Sequence, residues 1–371
     1  MRISFIDLNA QYKELKKDID LAIKEVIKRG DFILGKDLRL FEEEFARFCN
    51  AKYAVGLNSG TDALFLALKS LGIGPDDEVI VPAFTFIATS LAVSYTGARP
   101  VFVDIREDTY NINPEGIKKV ITKNTKAIIP VHLFGQPADM PKILELAKEY
   151  NLKVIEDSAQ AHGARIRMEG CWRKVGAIGD IGCFSLYPTK NLSAMGDGGI
   201  IVTNAERIYK KILMLRDYGR VSRYKHIIIG YNSRLDTIQA GILRVKLKRL
   251  DKWNLMRRRI ARLYDRLLKD IPQIITPYVS PDVKHVYHLY VIRTKLRDKL
   301  LKVFNKKGIP ALIHYPIPLH LQKVYKNLGY KKGDFPVAEK VASQILSLPM
   351  YPHLKEEQVR FIVGILKQVR N

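Results

Sequence analysis

The sequence predicts an α/β fold in which a mostly parallel β-sheet lies between helices, followed by a smaller α+β unit. Seven short runs between residues 52 and 203 predict the sheet, because strands that are covered on both faces are nearly all apolar and rich in β-branched residues. Helical patterns lie between several of these runs, and that alternation is typical of a parallel sheet. After residue 282 the pattern restarts, which predicts the second unit.

The seven apolar runs that predict the sheet follow one another closely along the chain. In order they are YAVGL (53–57), EVIVP (78–82), RPVFVD (99–104), KAIIPV (126–131), LKVIED (152–157), GCFSL (182–186) and GGIIVT (198–203). The intervening stretches TDALFLALKSLG and DMPKILELAKEYN have the apolar spacing of helices. They predict helices that cover the sheet.

One long helix is predicted from about Asp236 to Leu268, since leucines and Trp253 recur there near helical spacing and leave a basic face in water. The second unit then reads, in order, as a strand in HVYHLYVIRT, a helix in RDKLLKVFNKKG, an extended segment in ALIHYPIP and a helix in KEEQVRFIVGILKQV. We place the domain boundary in the long helix, with a large domain over residues 1–250 and a small C-terminal domain over 251–371.

The net charge of the chain is large and positive. The 371 residues include 62 Lys and Arg against 38 Asp and Glu, which gives +24 at pH 7. Such a charge attracts polyanions, namely nucleic acid, anionic membranes or phosphorylated small molecules. The basic residues are spread along the chain without a zinc-finger, RRM or KH pattern. We therefore interpret the charge as a solvated surface and expect no nucleic-acid partner.

Neither a membrane segment nor an export signal is predicted. No apolar run is long enough to cross a bilayer, and the first residues meet Asp7 without an apolar signal core. The cysteines Cys49, Cys171 and Cys183 are widely spaced, so they form neither a disulfide framework nor a CxxC metal site. We expect a cytoplasmic protein without a membrane partner.

The carboxyl ends of the predicted strands carry the candidate chemistry, because ligands of open α/β sheets bind at that edge. After YAVGL, the turn Asn58–Thr61 enters a helix, where backbone N–H groups attract anions and Gly60 allows a phosphate to come close. An ordinary helix cap explains this stretch equally well. Asp157 ends the run LKVIED, where a carboxylate needs a cationic partner, and a cap or a salt bridge is the plainer explanation.

Lys190 follows GCFSL at the same predicted edge, together with Ser185. An enclosed lysine loses its charge readily, since desolvation disfavours the ammonium ion. Pyridoxal phosphate needs an anion cradle, a carboxylate for its ring nitrogen and a lysine for its aldehyde, and the sequence offers all three at strand ends. Glu156, Asp157 and His162 match no standard metal-ligand spacing, so we expect no metal.

The motifs SGTDAL, PAFTF, DMP, IEDSAQAHGA, FSLYPTKN, GDGG and GYNSRLD occur in this order. Together they resemble the DegT/DnrJ/EryC1/StrS family of pyridoxal-phosphate sugar aminotransferases over nearly the whole chain. The resemblance implies the type I fold, which is that of aspartate aminotransferase, and a homodimer with shared active sites.

The resemblance also implies the roles of individual residues. Lys190 would form the Schiff base and move the proton, and Asp157 would hold the ring nitrogen protonated. The remaining cofactor positions are Gln160 beside the ring, Phe86 on its face, Gly60, Thr61 and Ser185 at the phosphate, and Asn232, which reaches the phosphate from the partner subunit. Substrate positions are Tyr187, Tyr315 and His320 near the sugar and Lys225, in RYKH, near the diphosphate.

The segments IHYPIPLHLQ and LSLPMYPHL resemble the branch that aminates 3-keto sugars on dTDP. The implied reaction moves an amino group from an amino acid, expected to be L-glutamate, to a dTDP-3-keto-6-deoxyhexose. A different keto sugar, UDP-linked or 4-keto, and a non-catalytic regulatory protein that binds the cofactor are the alternatives. Ser193 and Leu186 replace the usual Gly and Phe beside the lysine motif, and the stretch 165–176 is longer than usual.

Overall fold

The computed structural model of the chain describes residues 3–368. Its helices, in chain order, are α1 (Leu8–Arg29), α2 (Lys36–Cys49), α3 (Gly60–Ser70), α4 (Ala88–Tyr95), α5 (Pro114–Ile117), α6 (Met140–Glu149), α7 (Glu206–Leu215), α8 (Thr237–Leu247), α9 (Leu250–Leu268), α10 (Arg297–Lys306), α11 (Pro336–Gln344) and α12 (Glu356–Gln368). Its strands are β1 (Tyr53–Leu57), β2 (Glu78–Pro82), β3 (Arg99–Val103), β4 (Thr125–Ile128), β5 (Lys153–Asp157), β6 (Arg165–Met168), β7 (Cys171–Lys174), β8 (Ile181–Ser185), β9 (Gly199–Thr203), β10 (Arg220–Ser222), β11 (Lys225–His226), β12 (Val283–Lys284), β13 (Tyr290–Arg293) and β14 (Ile345–Leu348).

All seven predicted runs become strands of one sheet, in the order β1-β9-β8-β5-β4-β2-β3. Its central strands pair in parallel, and β9 alone among the seven runs antiparallel to its neighbours β1 and β8. Since β9 is antiparallel to both, β1 points the same way as β8 and β5. The ends of these three strands therefore lie at one edge of the sheet, which confirms the predicted α/β architecture.

The sheet is buried on both faces, as its apolar strands predict. Successive side chains of β2 enter different cores: Val79 and Val81 pack in one cluster with α3 and α4, whereas Ile80 packs in another with α6. This alternation is the period of two that a pleated strand imposes. The sheet is therefore a rigid layer from whose edge loops project.

The second half of the chain builds another apolar cluster around the antiparallel pair β13 and β14. Helices α9, α10 and α12 supply residues such as Tyr264, Phe304 and Ile362 to it, and Ile3 from the start of the chain joins them. Residues 319–345, by contrast, contribute Leu319 and Val341 to the cluster of the large sheet. The division at residues 250 and 251 stays a prediction, and its outer limits, 1 and 371, lie outside the described residues.

The prediction of one long helix from Asp236 to Leu268 is wrong. The chain forms two helices, α8 and α9, which are separated at Lys248 and Arg249. The reason is packing: α8 lies against α1 and α2, whereas α9 turns away to meet α12. Periodicity alone did not reveal the break, because both helices keep apolar residues on their buried faces.

The long stretch 165–176 forms the hairpin of β6 and β7, and β12 adds to the edge of β6. This small sheet stands beside the main one. None of the helices between residues 3 and 368 combines the length and hydrophobicity that crossing a bilayer requires.

Candidate active site

A cavity of about 310 Å³ lies at the carboxyl edge of the sheet, where β1, β5 and β8 end. It is lined by nine of the residues that the sequence predicts: Gly60, Thr61, Phe86, Asp157, Gln160, Ser185, Tyr187, Lys190 and Tyr315. Two larger grooves, of about 740 and 760 Å³, run between helices elsewhere and contain none of the predicted site residues. We therefore take the smaller cavity as the candidate active site.

Lys190 is presented by a tight turn that follows β8. The turn is closed by backbone hydrogen bonds from Lys190 N to Tyr187 O (2.9 Å) and from Ala194 N to Leu186 O (2.7 Å). The side chain keeps some exposure because the cavity opens beside it, and protein surrounds the amine elsewhere. This desolvation lowers the pKa of Lys190 to about 8, against the attraction of Asp157. About a tenth of the amine is therefore free base at pH 7, far more than for an ordinary lysine.

Asp157 ends β5 and faces the same cavity from a buried position. Its carboxylate accepts hydrogen bonds from the Thr89 hydroxyl (2.8 Å) and from the Ala159 N–H (3.2 Å). Burial raises the pKa of Asp157, and these two donors oppose the shift. A carboxylate in this setting stabilises a cation bound next to it.

The turn after β1 makes an anion cradle. The Ser59 hydroxyl accepts from Asp62 N at 3.0 Å and so caps α3, whose first-turn N–H groups lack acceptors within the helix. A Cβ at Gly60 would lie 2.6 Å from Cβ of Ser185, so only glycine fits here. Gly60, Thr61 and Ser185 thus leave a small polar recess at a helix start.

One wall of the cavity is aromatic. The Gln160 side chain accepts from Phe134 N at 2.7 Å and donates to the Tyr315 hydroxyl at 3.1 Å. The Tyr315 ring lies 5.7 Å from the ring of Phe86, which is half exposed. Burial raises the pKa of Tyr315, so its hydroxyl stays protonated. This wall can cover the face of a flat ligand.

Three of the cavity residues that were not predicted from the sequence bear on its chemistry: Thr89, His288 and His314. Thr89, which donates a hydrogen bond to Asp157, lies one helical turn after Thr85 in the segment that follows β2. The two hydroxyls after a buried strand were the sequence feature that could have predicted its place in the site. His288 and His314 also line the cavity, and burial lowers the pKa of both, that of His314 to about 4. Their sequence motifs, HVYHLY and IHYP, gave no sign that these rings would converge.

Three predicted residues do not line the cavity. Asn232 and Lys225 are exposed, the latter on the short strand β11. His320 is buried: its Nε2 lies 3.0 Å from Glu339 Oε1, and its ring packs 4.7 Å from the ring of Phe335. The prediction that His320 contacts the sugar has no support from this placement, which instead gives the side chain a packing role.

The two departures from the usual motif also lie away from the cavity. Leu186 is fully buried in an apolar cluster with Phe184 and Leu235. The Ser193 hydroxyl faces the buried amine of Lys246 at 3.2 Å. Neither side chain forms the pocket wall, so neither substitution changes the space that a substrate would occupy.

The donor set of the cavity fits pyridoxal phosphate. The cofactor requires an amine for its aldehyde, a carboxylate for its ring nitrogen and N–H donors for its phosphate. Lys190, Asp157 and the recess at Gly60 offer these groups around one space. No cluster of His, Cys, Asp or Glu among residues 3–368 is arranged to hold a metal ion.

Comparison with known proteins identifies relatives that match this chain from end to end. The family description "DegT/DnrJ/EryC1/StrS aminotransferase family" matches residues 13–367. A dTDP-3-amino-3,4,6-trideoxy-alpha-D-glucose transaminase of Streptomyces venezuelae is 46% identical, with 99% of this chain and 96% of that protein covered. A UDP-N-acetyl-3-dehydro-alpha-D-glucosamine 3-aminotransferase of Acidithiobacillus ferrooxidans is 45% identical, with 99% and 97% covered.

Solved structures agree with these relatives. The crystal structure of S. venezuelae DesV in complex with a ketimine intermediate has a TM-score of 0.96 at 46% identity, covering 99% of this chain and 98% of that one. NtdA of Bacillus subtilis with bound cofactor PMP has a TM-score of 0.87 at 34% identity, covering 95% and 82%. The expected type I fold and cofactor are thereby confirmed. The chain belongs to the DegT/DnrJ/EryC1/StrS aminotransferase family and is a pyridoxal-phosphate-dependent sugar aminotransferase.

Proposed function

We propose that the protein transfers an amino group from L-glutamate to a nucleotide-linked 3-keto sugar, a dTDP-3-keto-6-deoxyhexose, to give an amino sugar. The observation that carries this proposal is the pairing of Lys190 and Asp157 across one cavity of a sugar aminotransferase. The dTDP-sugar relative, at 46% identity over nearly all of both chains, supports the substrate class.

In this proposal, different side chains of the cavity bind different parts of the cofactor. Bound pyridoxal phosphate supplies an aldehyde that takes up the amino group and a protonated ring that withdraws electrons. Gly60, Thr61 and Ser185 bind the phosphate at the start of α3. Asp157, held by Thr89, keeps the ring nitrogen protonated, because its buried carboxylate needs a cation beside it. Phe86 and Gln160, which line the same cavity, would orient the ring.

Lys190 is the group that moves the proton. With a pKa lowered to about 8, its Nζ is free base often enough near neutral pH to take a proton from the α-carbon of the amino donor. In the first half of the reaction the amine would pass this proton on to the cofactor. In the second half, with the keto sugar in place, it would take a proton back from the cofactor and deliver it to the sugar carbon that receives the amino group. The turn at Tyr187 fixes the position of the amine, which is a positioning contribution to the rate.

The nucleotide sugar would enter over the exposed side of the cavity. Tyr187, which is half exposed, and Tyr315 line that side and can contact the sugar. Lys225 lies on the exposed strand β11, two residues after the exposed Arg223, where cations suit a diphosphate.

We further propose a homodimer in which Asn232 reaches the phosphate of the partner's site. Large apolar side chains left exposed in the single chain support an interface: Phe86, Tyr187, Met195, Tyr224 and Ile229. The free thiols of Cys49, Cys171 and Cys183 suit a cytoplasmic setting.

A substrate panel tests the proposed reaction. Purified protein with pyridoxal phosphate and L-glutamate is offered dTDP- and UDP-linked sugars that carry the ketone at C3 or C4, and amino-sugar products are identified by mass spectrometry. We expect the dTDP-3-keto sugar to have the highest kcat/KM. A higher kcat/KM for any other sugar of the panel would refute the substrate assignment.

A UDP-linked 3-keto sugar is the second candidate. The A. ferrooxidans relative, at 45% identity, supports it almost as strongly as the dTDP-sugar relative supports the first. In this proposal Tyr187 and Tyr315 face the sugar and not the base, so they give no reason to prefer thymine over uracil. The same panel decides between the two nucleotides.

A further inference from the structure

Helix α9 carries two buried polar side chains, Asn254 and Arg257, on the face that it turns toward the active site. Each is only 1% exposed. The spacing of three residues places both on the same side of the helix. The next turns of that side are apolar, with Ala261 and Tyr264 packed in a core. Buried polar groups lower stability unless they form hydrogen bonds. The hydrogen-bond partners of Asn254 and Arg257 therefore indicate what these side chains do.

Asn254 joins two loops of the cavity through one amide. Its Nδ2 donates to the carbonyl oxygen of His162 at 2.8 Å, and its Oδ1 accepts from Asn191 Nδ2 at 2.9 Å. Asn191 directly follows Lys190, and His162 lies in the loop that begins at Asp157. The Asn254 amide therefore ties the turn that carries the lysine to the loop that carries the carboxylate.

The backbone beside Asn254 is shaped to receive it. Gly163 has φ +81°, and a Cβ at this position would lie 2.9 Å from Asn254 Nδ2. A larger residue would be strained in this backbone conformation and would push the amide away. Gly163 and Asn254 are thus so close that neither position has space for a larger side chain.

Arg257 holds three carbonyl groups from two segments. Its Nη1 donates to the carbonyl oxygens of Tyr287 (3.0 Å), His288 (3.3 Å) and Met350 (3.1 Å). No carboxylate among residues 3–368 forms an ion pair with it, and burial lowers the pKa of Arg257 to about 9. An apolar side chain would fill this place at lower cost. What the guanidinium adds is a fixed position for the backbone of His288, whose side chain lines the cavity.

We propose that Asn254 and Arg257 are positioning residues of the aminotransferase site, which hold the Lys190 turn, the Asp157 loop and His288 in one arrangement. The proposal rests on the proposed role of Lys190 and is independent of which sugar is the substrate. It makes α9 the element that couples the β13 and β14 unit, through Met350, to the cavity. Neither residue touches the cavity itself, so each acts through the segments that it holds.

Loss of this network would alter the surroundings of the lysine amine. The titratable groups that face Lys190 are Asp157, Asp197, Tyr187, Tyr315, His162, His288 and His314. Truncation of Asn254 frees the turn next to Lys190 and admits water. The amine then regains hydration, and its pKa moves up toward the ordinary lysine value.

The test compares Asn254→Ala and Arg257→Lys with the matched control Tyr264→Phe. Tyr264 is buried in the same helix and donates its hydroxyl to Pro349 O at 3.0 Å, so the control removes one buried hydrogen bond without touching the Lys190 turn. Lysine keeps the charge of Arg257 but cannot hold three carbonyls in fixed directions. Should Asn254→Ala fail to fold, Asn254→Ser, which keeps a small polar group, takes its place.

Three measurements are made on each full-length protein. Competitive acetylation of the cofactor-free protein with acetic anhydride between pH 6 and 10, mapped by mass spectrometry, gives the titration midpoint of the free Lys190 amine. Absorbance titration gives the Kd for pyridoxal phosphate, and thermal unfolding gives Tm.

We expect Asn254→Ala to raise the Lys190 midpoint by about half a pH unit or more and to weaken pyridoxal phosphate binding about tenfold. Arg257→Lys should change both in the same direction, and Tyr264→Phe should lower Tm alone. The proposal is overturned if both test variants lower Tm as the control does while midpoint and Kd stay unchanged. If wild-type Lys190 does not bind pyridoxal phosphate at all, the proposed function fails first, and the wild-type titration reports that separately.

Discussion

Two desolvated lysines of this chain differ in what they face. Burial lowers the pKa of both Lys190 and Lys246 to about 8. Lys190 opens onto the cavity and has Asp157 as its counter-charge. Lys246 lies behind the cavity, does not line it and donates to Ser193 O at 2.8 Å. A lowered pKa is therefore a result of burial alone. The open space and the nearby carboxylate distinguish the lysine that can react.

The neighbouring carboxylates of β5 repeat this contrast. Glu156 points away from the cavity, and its two oxygens accept from the N–H groups of Gly176, Ile178 and Gly179, each at 2.7 Å, with His132 Nε2 at 3.0 Å. Asp157, the next residue, has two donors and faces the cavity. The alternation of a strand thus puts a satisfied structural carboxylate on one face and an incompletely satisfied one on the other.

The largest effect should separate the two lysines. We expect Lys190→Ala to lower turnover by about 10⁴-fold, because no other lysine among residues 3–368 lines the cavity to move the proton. Lys246→Met should leave turnover within a few-fold, since its amine bonds Ser193, which does not line the cavity. Turnover is measured with the best sugar of the substrate panel and L-glutamate.

Circular dichroism of both variants provides the control for this pair. A Lys190→Ala enzyme that is folded but inactive supports the assignment. Retained turnover in folded Lys190→Ala, or equal losses in both variants, would contradict the distinction between the two lysines.

The two carboxylates should separate nearly as well. Asp157→Asn keeps the size of the side chain and removes its charge, so we expect turnover to fall about 10³-fold with little change in fold. Glu156→Gln must set an amide NH₂ against a backbone N–H, which should cost about 1–3 kcal/mol of stability and change turnover only a few-fold. Denaturant unfolding and steady-state kinetics on both variants check this pair, and a reversed pattern would show that the faces of β5 have been misassigned.

Much of the sheet could be predicted from the sequence. The seven apolar runs became its seven strands because strands covered on both faces need apolar residues at every position. The break between α8 and α9 could not be predicted, since Lys248 and Arg249 carry no helix-ending signal and the turn is imposed by packing on α1 and α12. Local pattern thus determined the strands, and tertiary packing determined the helix directions.

The candidate site divides in the same way. Lys190, Asp157 and Gly60 were predictable because strand ends meet at one edge of a parallel sheet. His288 and Asn254 were not, because each lies far along the chain from the residues it approaches and ordinary helix or strand patterns surround it. His320 is a different case: the motif HYPIPLH suggested a sugar contact, but the histidine lies beside Glu339 in this chain, so the contact stays a prediction.

The pH dependence of the free energy of unfolding tests whether Lys246 is desolvated in the folded protein. The folded-state pKa is lowered to about 8 from 10.5, so between these values the unfolded chain binds a proton that the folded chain does not. The free energy of unfolding then rises with pH across this window. Below pH 8 the buried ammonium ion lowers the free energy of unfolding by its full amount. This contribution is on the order of 3 kcal/mol. Lys246→Met should remove it.

Unfolding free energies of wild type and Lys246→Met at pH 7, 8.5 and 10 measure the difference, in which the other titrating groups cancel. We expect the variant to be most favoured relative to wild type at pH 7 and to lose that advantage as pH rises. A difference that does not vary with pH would mean that Lys246 is not desolvated as its burial indicates.

The smallest effect concerns the residue that departs from the usual motif. Ser193→Gly removes the hydroxyl that accepts from Lys246 at 3.2 Å but leaves the carbonyl that accepts at 2.8 Å, so the amine keeps its shorter bond. The lost hydrogen bond and the added backbone freedom together should lower stability by about 1–2 kcal/mol. Turnover and the order of preference among sugars should stay within twofold of wild type, because Ser193 lies behind the cavity and not in it. A changed sugar preference in this variant would mean that the residues behind Lys190 influence the shape of the pocket. The environment of Lys246 would then also affect the reaction, and the two lysines would differ less than we propose.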